Sequence, residues 1–199
     1  VYQSFEELNF IDKDQDYFLQ NASYIVEQLR EKNWDKFLNY EREFSSYIYE
    51  QLIDKKSISN LDKVESIKWY TTKYTDHIYA LALSNTQSRR SRAGSEFEYI
   101  IELILMGAKI PVDTQGSIGS GVFDSSHLAK LVDFVSPGAT EYKLNKRNTS
   151  LVSAKTTLRE RWQEVGDEMA RTMAREIYLA TLDEEITARV IELISQNNI

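Results

Sequence analysis

Leu131-Val132-Asp133-Phe134-Val135 sets one carboxylate inside an otherwise apolar run of strand character, where an unpaired charge is costly to bury. Some other group has to compensate Asp133. Twenty-two residues on, a second apolar run, Leu151-Val152, leads to Lys155. Thr156-Thr157 then opens an amphipathic helix, with charges in its first turn, that is predicted to reach about Arg175. Glu168 lies on that helix, 13 residues past the lysine. A strand aspartate, a strand-end lysine and a helix glutamate can thus converge on one cation. The plainer reading of the same residues is a buried Asp133–Lys155 ion pair.

The rest of the chain limits what such a centre belongs to. A length of 199 residues with 42% hydrophobic residues is enough for one substantial core. We expect a single domain over 1–199, with a helical region at 1–86 and an α/β core at 87–199. No run approaches the roughly 18 apolar residues of a membrane span, and the first residues are not those of a signal peptide. A cytoplasmic protein without a membrane partner is expected. Cysteine is absent, which rules out thiolate metal sites and leaves oxygen or imidazole as ligands. His77 and His127 are far apart, lack ligand spacing and read as structural. The glycine-rich loop 116–121 lacks the Gly-Lys-Ser/Thr ending of a phosphate-binding loop, so no nucleotide cofactor is expected. The closing Asn197-Asn198-Ile199, a turn signal before one apolar residue, reads as a trimmed end lacking its last strand.

A net charge of −7 argues mildly against nonspecific nucleic-acid binding. Its distribution says more than its sum. Residues 141–161 hold six basic side chains (Lys143, Lys146, Arg147, Lys155, Arg159, Arg161) against Glu141 and Glu160. Arg89-Arg90-Ser91-Arg92 forms a second basic knot. An acidic helical shell beside a basic cleft reconciles the total with a DNA partner, and a solvated charged face explains it equally well.

Helical periodicity predicts a helix from Asp14 to about Glu31 and another from Trp34 to Ile53, packed as a pair, then a third from Leu61 to about Ser84. On residues alone, Trp34 and Trp69 read as helix-packing side chains. A short apolar helix over 99–105 follows a polar stretch, with Glu96 and Glu98 in or near its first turns, where the helix dipole favours acids. Strands are predicted at 109–112, 131–135, 151–155 and 177–182, with Asp183 capping a final helix through Ile194. A strand–helix–strand crossover in this half implies a mixed sheet flanked by helices.

Ser91-Arg92-Ala93-Gly94, then Glu98, Asp133 and Ala154-Lys155-Thr156-Thr157 with Arg159 and Trp162 together resemble the EcoRII-like branch of type II restriction endonucleases, which have the PD-(D/E)xK fold. The resemblance covers Gln87 onward, and the helical N-terminal half looks most like the SsoII-type members, which cut CCNGG before the first C. Two positions depart from the general nuclease signature. Val132 replaces its proline, and Ser153 stands where the second carboxylate normally precedes the lysine. Related enzymes show the same swap, with the carboxylate supplied from the following helix, here Glu168.

This resemblance implies an α/β fold of restriction-endonuclease type and a magnesium-dependent hydrolase acting on double-stranded DNA. Asp133 and Glu168 would be the metal ligands, Lys155 would orient or deprotonate the attacking water, and Glu98 would complete the acidic cluster. Arg159 and Glu160 are placed to read guanine and cytosine edges. Gln87 is implied as a minor-groove contact, and Arg30 with Trp34, one helical turn apart, as a sandwich for a flipped central base. A palindromic target implies a homodimer. The rival readings are a repair-type nuclease of the same fold without sequence preference, and a DNA-binding module without catalysis.

Overall fold

The computed structural model describes residues 1–114, 132–158, 162–172 and 174–199. Two compact units emerge, Val1–Leu29 with Ala93–Ile199, and Arg30–Arg92. Two long helices, α2 (Gln15–Gln51) and α5 (Thr75–Gly107), contribute residues to both.

In the first unit, α1 (Tyr2–Glu7) and a 3-10 turn at Phe10–Asp12 fold onto the start of α2 and the end of α5. Apolar residues at helical spacing, Phe18, Ile25 and Leu29, face Phe5, Phe10, Ile100 and Ala108 in one buried cluster. Burying each large side chain is worth about 1.5–3 kcal/mol. Phe18 lies so close to Gly107 that a Cβ there would meet its ring at 2.6 Å. Helix α5 accordingly ends on a residue without a side chain.

The second core of this unit surrounds a four-stranded sheet in the order β1 (Asp113–Thr114), β2 (Phe134–Ser136), β3 (Ser150–Lys155), β4 (Ile177–Thr181). The first two pairings are antiparallel and β3–β4 is parallel. A parallel pair needs a crossover, which contains α7 (Trp162–Thr172). Helix α6 (Ala139–Leu144) follows β2, and α8 (Ala188–Gln196) follows β4. Val132, Val135, Ala139, Tyr142, Leu151, Val165 and Ile177 fill the space between sheet and helices. At the C-terminal end of α7, the Thr172 carbonyl accepts from Tyr142 Oη at 2.5 Å and Lys146 Nζ at 2.7 Å. Both donors satisfy a helix-end carbonyl, and the lysine suits the negative end of the dipole.

The second unit contains the rest of α2, the short α3 (Lys55–Ile58), α4 (Lys63–Lys73) and the start of α5. Asp54 caps α3, and Asp62 with Glu65 forms a reciprocal capping box on α4. Tyr70 Oη donates to the Tyr49 carbonyl at 2.9 Å, and Asn85 Nδ2 donates to Ser45 Oγ at 3.0 Å. His77 stands edge-on to Tyr74; His127 and the loop 116–121 lie outside the described residues.

The α/β class, the mixed sheet and the helical N-terminal region agree with expectation. Several elements do not. The two helices expected over 14–31 and 34–53 are one helix, α2, whose only non-helical residue is Asn21 (φ −120°, ψ 22°). Residues 32–33 contain neither glycine nor proline, so nothing there breaks it. The polar stretch 87–98 is likewise helical, because exposure rather than a loop explains its composition. Glu96 and Glu98 therefore sit deep inside α5, away from any helix N-terminus. Strand β1 lies one step beyond the expected 109–112, after Lys109 has turned the chain through a positive φ of 54°. Thr156 does not begin a helix; 156–158 are non-helical, and α7 is described from Trp162. Asp183 does not cap the last helix, which starts at Ala188 under Thr187. Among the described residues, no helix is long and apolar enough to cross a membrane.

Candidate active site

Strand alternation decides which β3 side chains turn inward. Leu151, Ser153 and Lys155 are buried, while Val152 and Ala154 between them are half-buried. Leu151 enters the sheet core, and Lys155 continues the same face to the end of the strand. On α7, Val165 and Glu168 are three residues apart and share a helix face. Val165 packs into the core that holds Leu151. One turn on, Glu168 Oε1 accepts from Lys155 Nζ at 2.9 Å. Thus the sheet–helix packing delivers the ion pair.

Asp133 reaches the same place from β2. The antiparallel register Phe134↔Val152, carried one residue outward, sets Asp133 opposite Ser153. Its Oδ2 accepts from the Ala154 amide at 2.6 Å, and Ser153 Oγ lies at 3.5 Å. The Asp133 amide donates back to the Val152 carbonyl at 3.2 Å. A carboxylate only 9% exposed thus accepts a short charge-assisted bond from the backbone beside Lys155. Lys155 is paired with Glu168, a partner that the plainer reading of an Asp133–Lys155 pair did not include.

Glu98 approaches from the middle of α5. Burial, then the charge of Asp133, push its carboxyl above the usual range, and Lys155 opposes the shift. Glu98 thus senses both Asp133 and Lys155. Because its folded pKa is raised, its neutral form favours the folded state below the ordinary glutamate value of 4.5, and that contribution is lost as pH rises through the folded value. We expect Glu98→Gln to remove this loss. Its melting temperature should fall less than wild type's between pH 4.5 and 7, and equal slopes would show that Glu98 is not perturbed.

The donor set suits a hard divalent cation. Glu168 Oε2 is buried with no hydrogen-bond partner among the described residues, an arrangement that ordinarily costs about 1–3 kcal/mol. No group of three carboxylate or imidazole side chains converges as a cage among those residues. Magnesium does not require one, because it commonly takes one or two carboxylates, a substrate phosphate and several waters.

Two supports were missed from sequence. Asp183 Oδ2 accepts from the Leu158 amide at 2.6 Å. The parallel register Lys155↔Thr181 puts these two post-strand segments side by side, so Asp183 braces the chain just after Lys155. Asp113 Oδ2 accepts from the Ala139 amide at 2.8 Å and anchors the start of α6 behind β2. Both could have been found only once strand order was known.

Of the expected recognition residues, Arg159 and Glu160 lie outside the described residues. Arg30, Trp34 and Gln87 all belong to the second unit and are exposed, Trp34 by 46%. Arg30 and Trp34 lie one turn apart on α2.

Residues 52–199 match the family model described as EcoRII C terminal. The chain belongs to that family. It is 50% identical to the type II restriction enzyme SsoII of Shigella sonnei over 199 residues, all of this chain and 65% of that protein. It thus spans just under two thirds of this curated relative. Among solved structures, metal-depleted Ecl18kI with uncleaved, modified DNA superposes with a TM-score of 0.88 at 49% identity, covering 99% of this chain and 64% of that one. Metal-depleted Ecl18kI with uncleaved DNA gives 0.87 at 48% identity, covering 99% and 65%. A restriction endonuclease PspGI–substrate DNA complex shares the fold, with a TM-score of 0.52 at 21% identity over 95% of this chain and 78% of that one.

Proposed function

We propose that this chain is the catalytic part of a type II restriction endonuclease, hydrolysing both strands of duplex DNA at a CCNGG-like palindrome with magnesium, as a homodimer in the cytoplasm. The observation that carries this reading is the buried Lys155–Glu168 pair, with one Glu168 oxygen left over, beside an Asp133 held by the Ala154 amide. Residues 1–199 serve as one nuclease domain.

Asp133 and Glu168 would hold a divalent cation, which would neutralise charge on the scissile phosphate and make water a better nucleophile. The protein's own groups do the rest. Lys155, paired with Glu168, can orient the attacking water and stabilise negative charge developing on the phosphate. Glu98 adds a carboxyl of raised proton affinity next to Asp133, which can hold a proton beside the reacting water. The Ala154 amide fixes the Asp133 carboxylate and so the direction in which its oxygens face.

In this reading Arg159 and Glu160 read base edges just beyond Lys155, Gln87 contacts the minor groove, and Arg30 with Trp34 receives a flipped central base. Arg159→Ala and Glu160→Ala should each cost about 1–3 kcal/mol of discrimination at one G·C position, measured as cleavage of matched against singly substituted duplexes. A uniform loss on all sequences would make them phosphate contacts. Digesting a plasmid that carries several CCNGG sites, with magnesium or with a chelator, tests the whole proposal. Discrete fragments that appear only with magnesium support it; a smear indicates a nuclease without sequence preference, and retention without cleavage a binding module.

A further inference from the structure

Within the second unit, Trp34 is the centre of a ladder of rings and guanidinium groups that joins α2 to α5. The Arg89 guanidinium lies 5.7 Å from the Trp34 ring centroid. The Phe37 ring lies 5.7 Å from it at an interplanar angle of 30°, and Arg92 covers Phe37 at 5.1 Å. Arg89 is held by Glu41 through both carboxylate oxygens, with Nε donating to Oε2 at 2.9 Å and the terminal nitrogen to Oε1. This bidentate bond lowers the proton affinity of Glu41 and raises that of Arg89. It also fixes the plane of the guanidinium, as a lysine ammonium could not.

The arrangement is costly to build for stability alone. The Arg89 side chain is 43% exposed and that of Glu41 11%; ordering a long, partly exposed guanidinium returns little stability, yet here the pair is turned onto an indole that remains 46% exposed. A ring braced by neighbours and still open is what a stacking platform requires, because an unstacked base gains most from a face that need not be ordered on arrival.

We propose that Glu41 and Arg89 are positioning residues that brace the Trp34 indole to receive an unstacked nucleobase on its open surface, an inference that rests on the base-flipping reading above. Glu41 acts through Arg89, and Arg89 through the ring.

The test uses the full chain, metal-free buffer and a CCNGG duplex with 2-aminopurine at the central position, whose emission rises when the base leaves the stack. Wild type should raise the emission on binding, and Trp34→Ala should abolish the rise. Glu41→Gln and Arg89→Met should each reduce the rise by at least half and weaken binding by about tenfold, within the range of a lost cation–π contact. Charge alone predicts the opposite sign for Glu41→Gln, since removing a carboxylate from a DNA-facing surface tightens binding. Arg89→Lys keeps the charge without the fork and should behave like Arg89→Met. A wild-type protein with no emission change overturns base flipping and the brace with it. A normal rise in wild type that Glu41→Gln or Arg89→Met leaves intact, or that Arg89→Lys fully restores, overturns the brace while base flipping stands.

Discussion

Asp133→Ala and Lys155→Ala should each lower DNA cleavage by about 10³-fold or more while leaving site-specific binding within a few-fold of wild type. The reason is a separation of roles: metal ligation and water activation act on the reacting bond, whereas affinity comes from phosphate and base contacts made elsewhere. Asp133 carries one charge against the Ala154 amide, and no neighbouring side chain in β2 or β3 can replace it, because Ser153 occupies the facing position. Lys155 is 7% exposed, so water cannot substitute freely for its ammonium. Single-turnover cleavage and a gel-shift titration on the same duplex check both halves of the statement. Near-wild-type turnover in either variant would end the assignment of this site.

Glu168→Ala should be harmful in two measurable ways. It removes one proposed metal ligand, so cleavage should fall as far as in Asp133→Ala. It also strips the partner from a buried lysine, and breaking one side of a buried ion pair typically costs about 3 kcal/mol or more of folding stability. The Lys155 and Glu168 side chains are 9% and 17% exposed, so solvent screens little of that loss. Glu168→Gln keeps a hydrogen-bond acceptor for Lys155 and should recover much of the stability but little of the activity. Denaturant unfolding beside cleavage assays separates the two effects. A Glu168→Gln protein that cleaves normally would show that another carboxylate serves the metal.

The site was more legible in the sequence than the helices around it. A carboxylate in an apolar strand and a lysine at the end of another leave few places for either charge, so Asp133 and Lys155 could be singled out before any register was known. Glu168 was reached from its place on the helix after Lys155 and from the family resemblance, although the expected start of that helix at Thr156 was wrong. Helix continuity was less visible. Polar residues such as Lys32-Asn33 and Ser88-Arg89-Arg90 look like breaks, yet they are half-buried or exposed positions within α2 and α5, and incomplete burial leaves the same mark on composition as a loop does. The bracing by Asp183 and Asp113, and the Glu41–Arg89 clamp 48 residues apart in sequence, depend on tertiary neighbours that periodicity does not encode.

The most direct test is end-mapping on a duplex with a single CCNGG site, labelled on each strand and incubated with the protein and magnesium. One break per strand, before the first C of the site, is expected in wild type and none in Asp133→Ala, Lys155→Ala or Glu168→Ala. Breaks scattered along the duplex, or breaks that persist in those three variants, would contradict it.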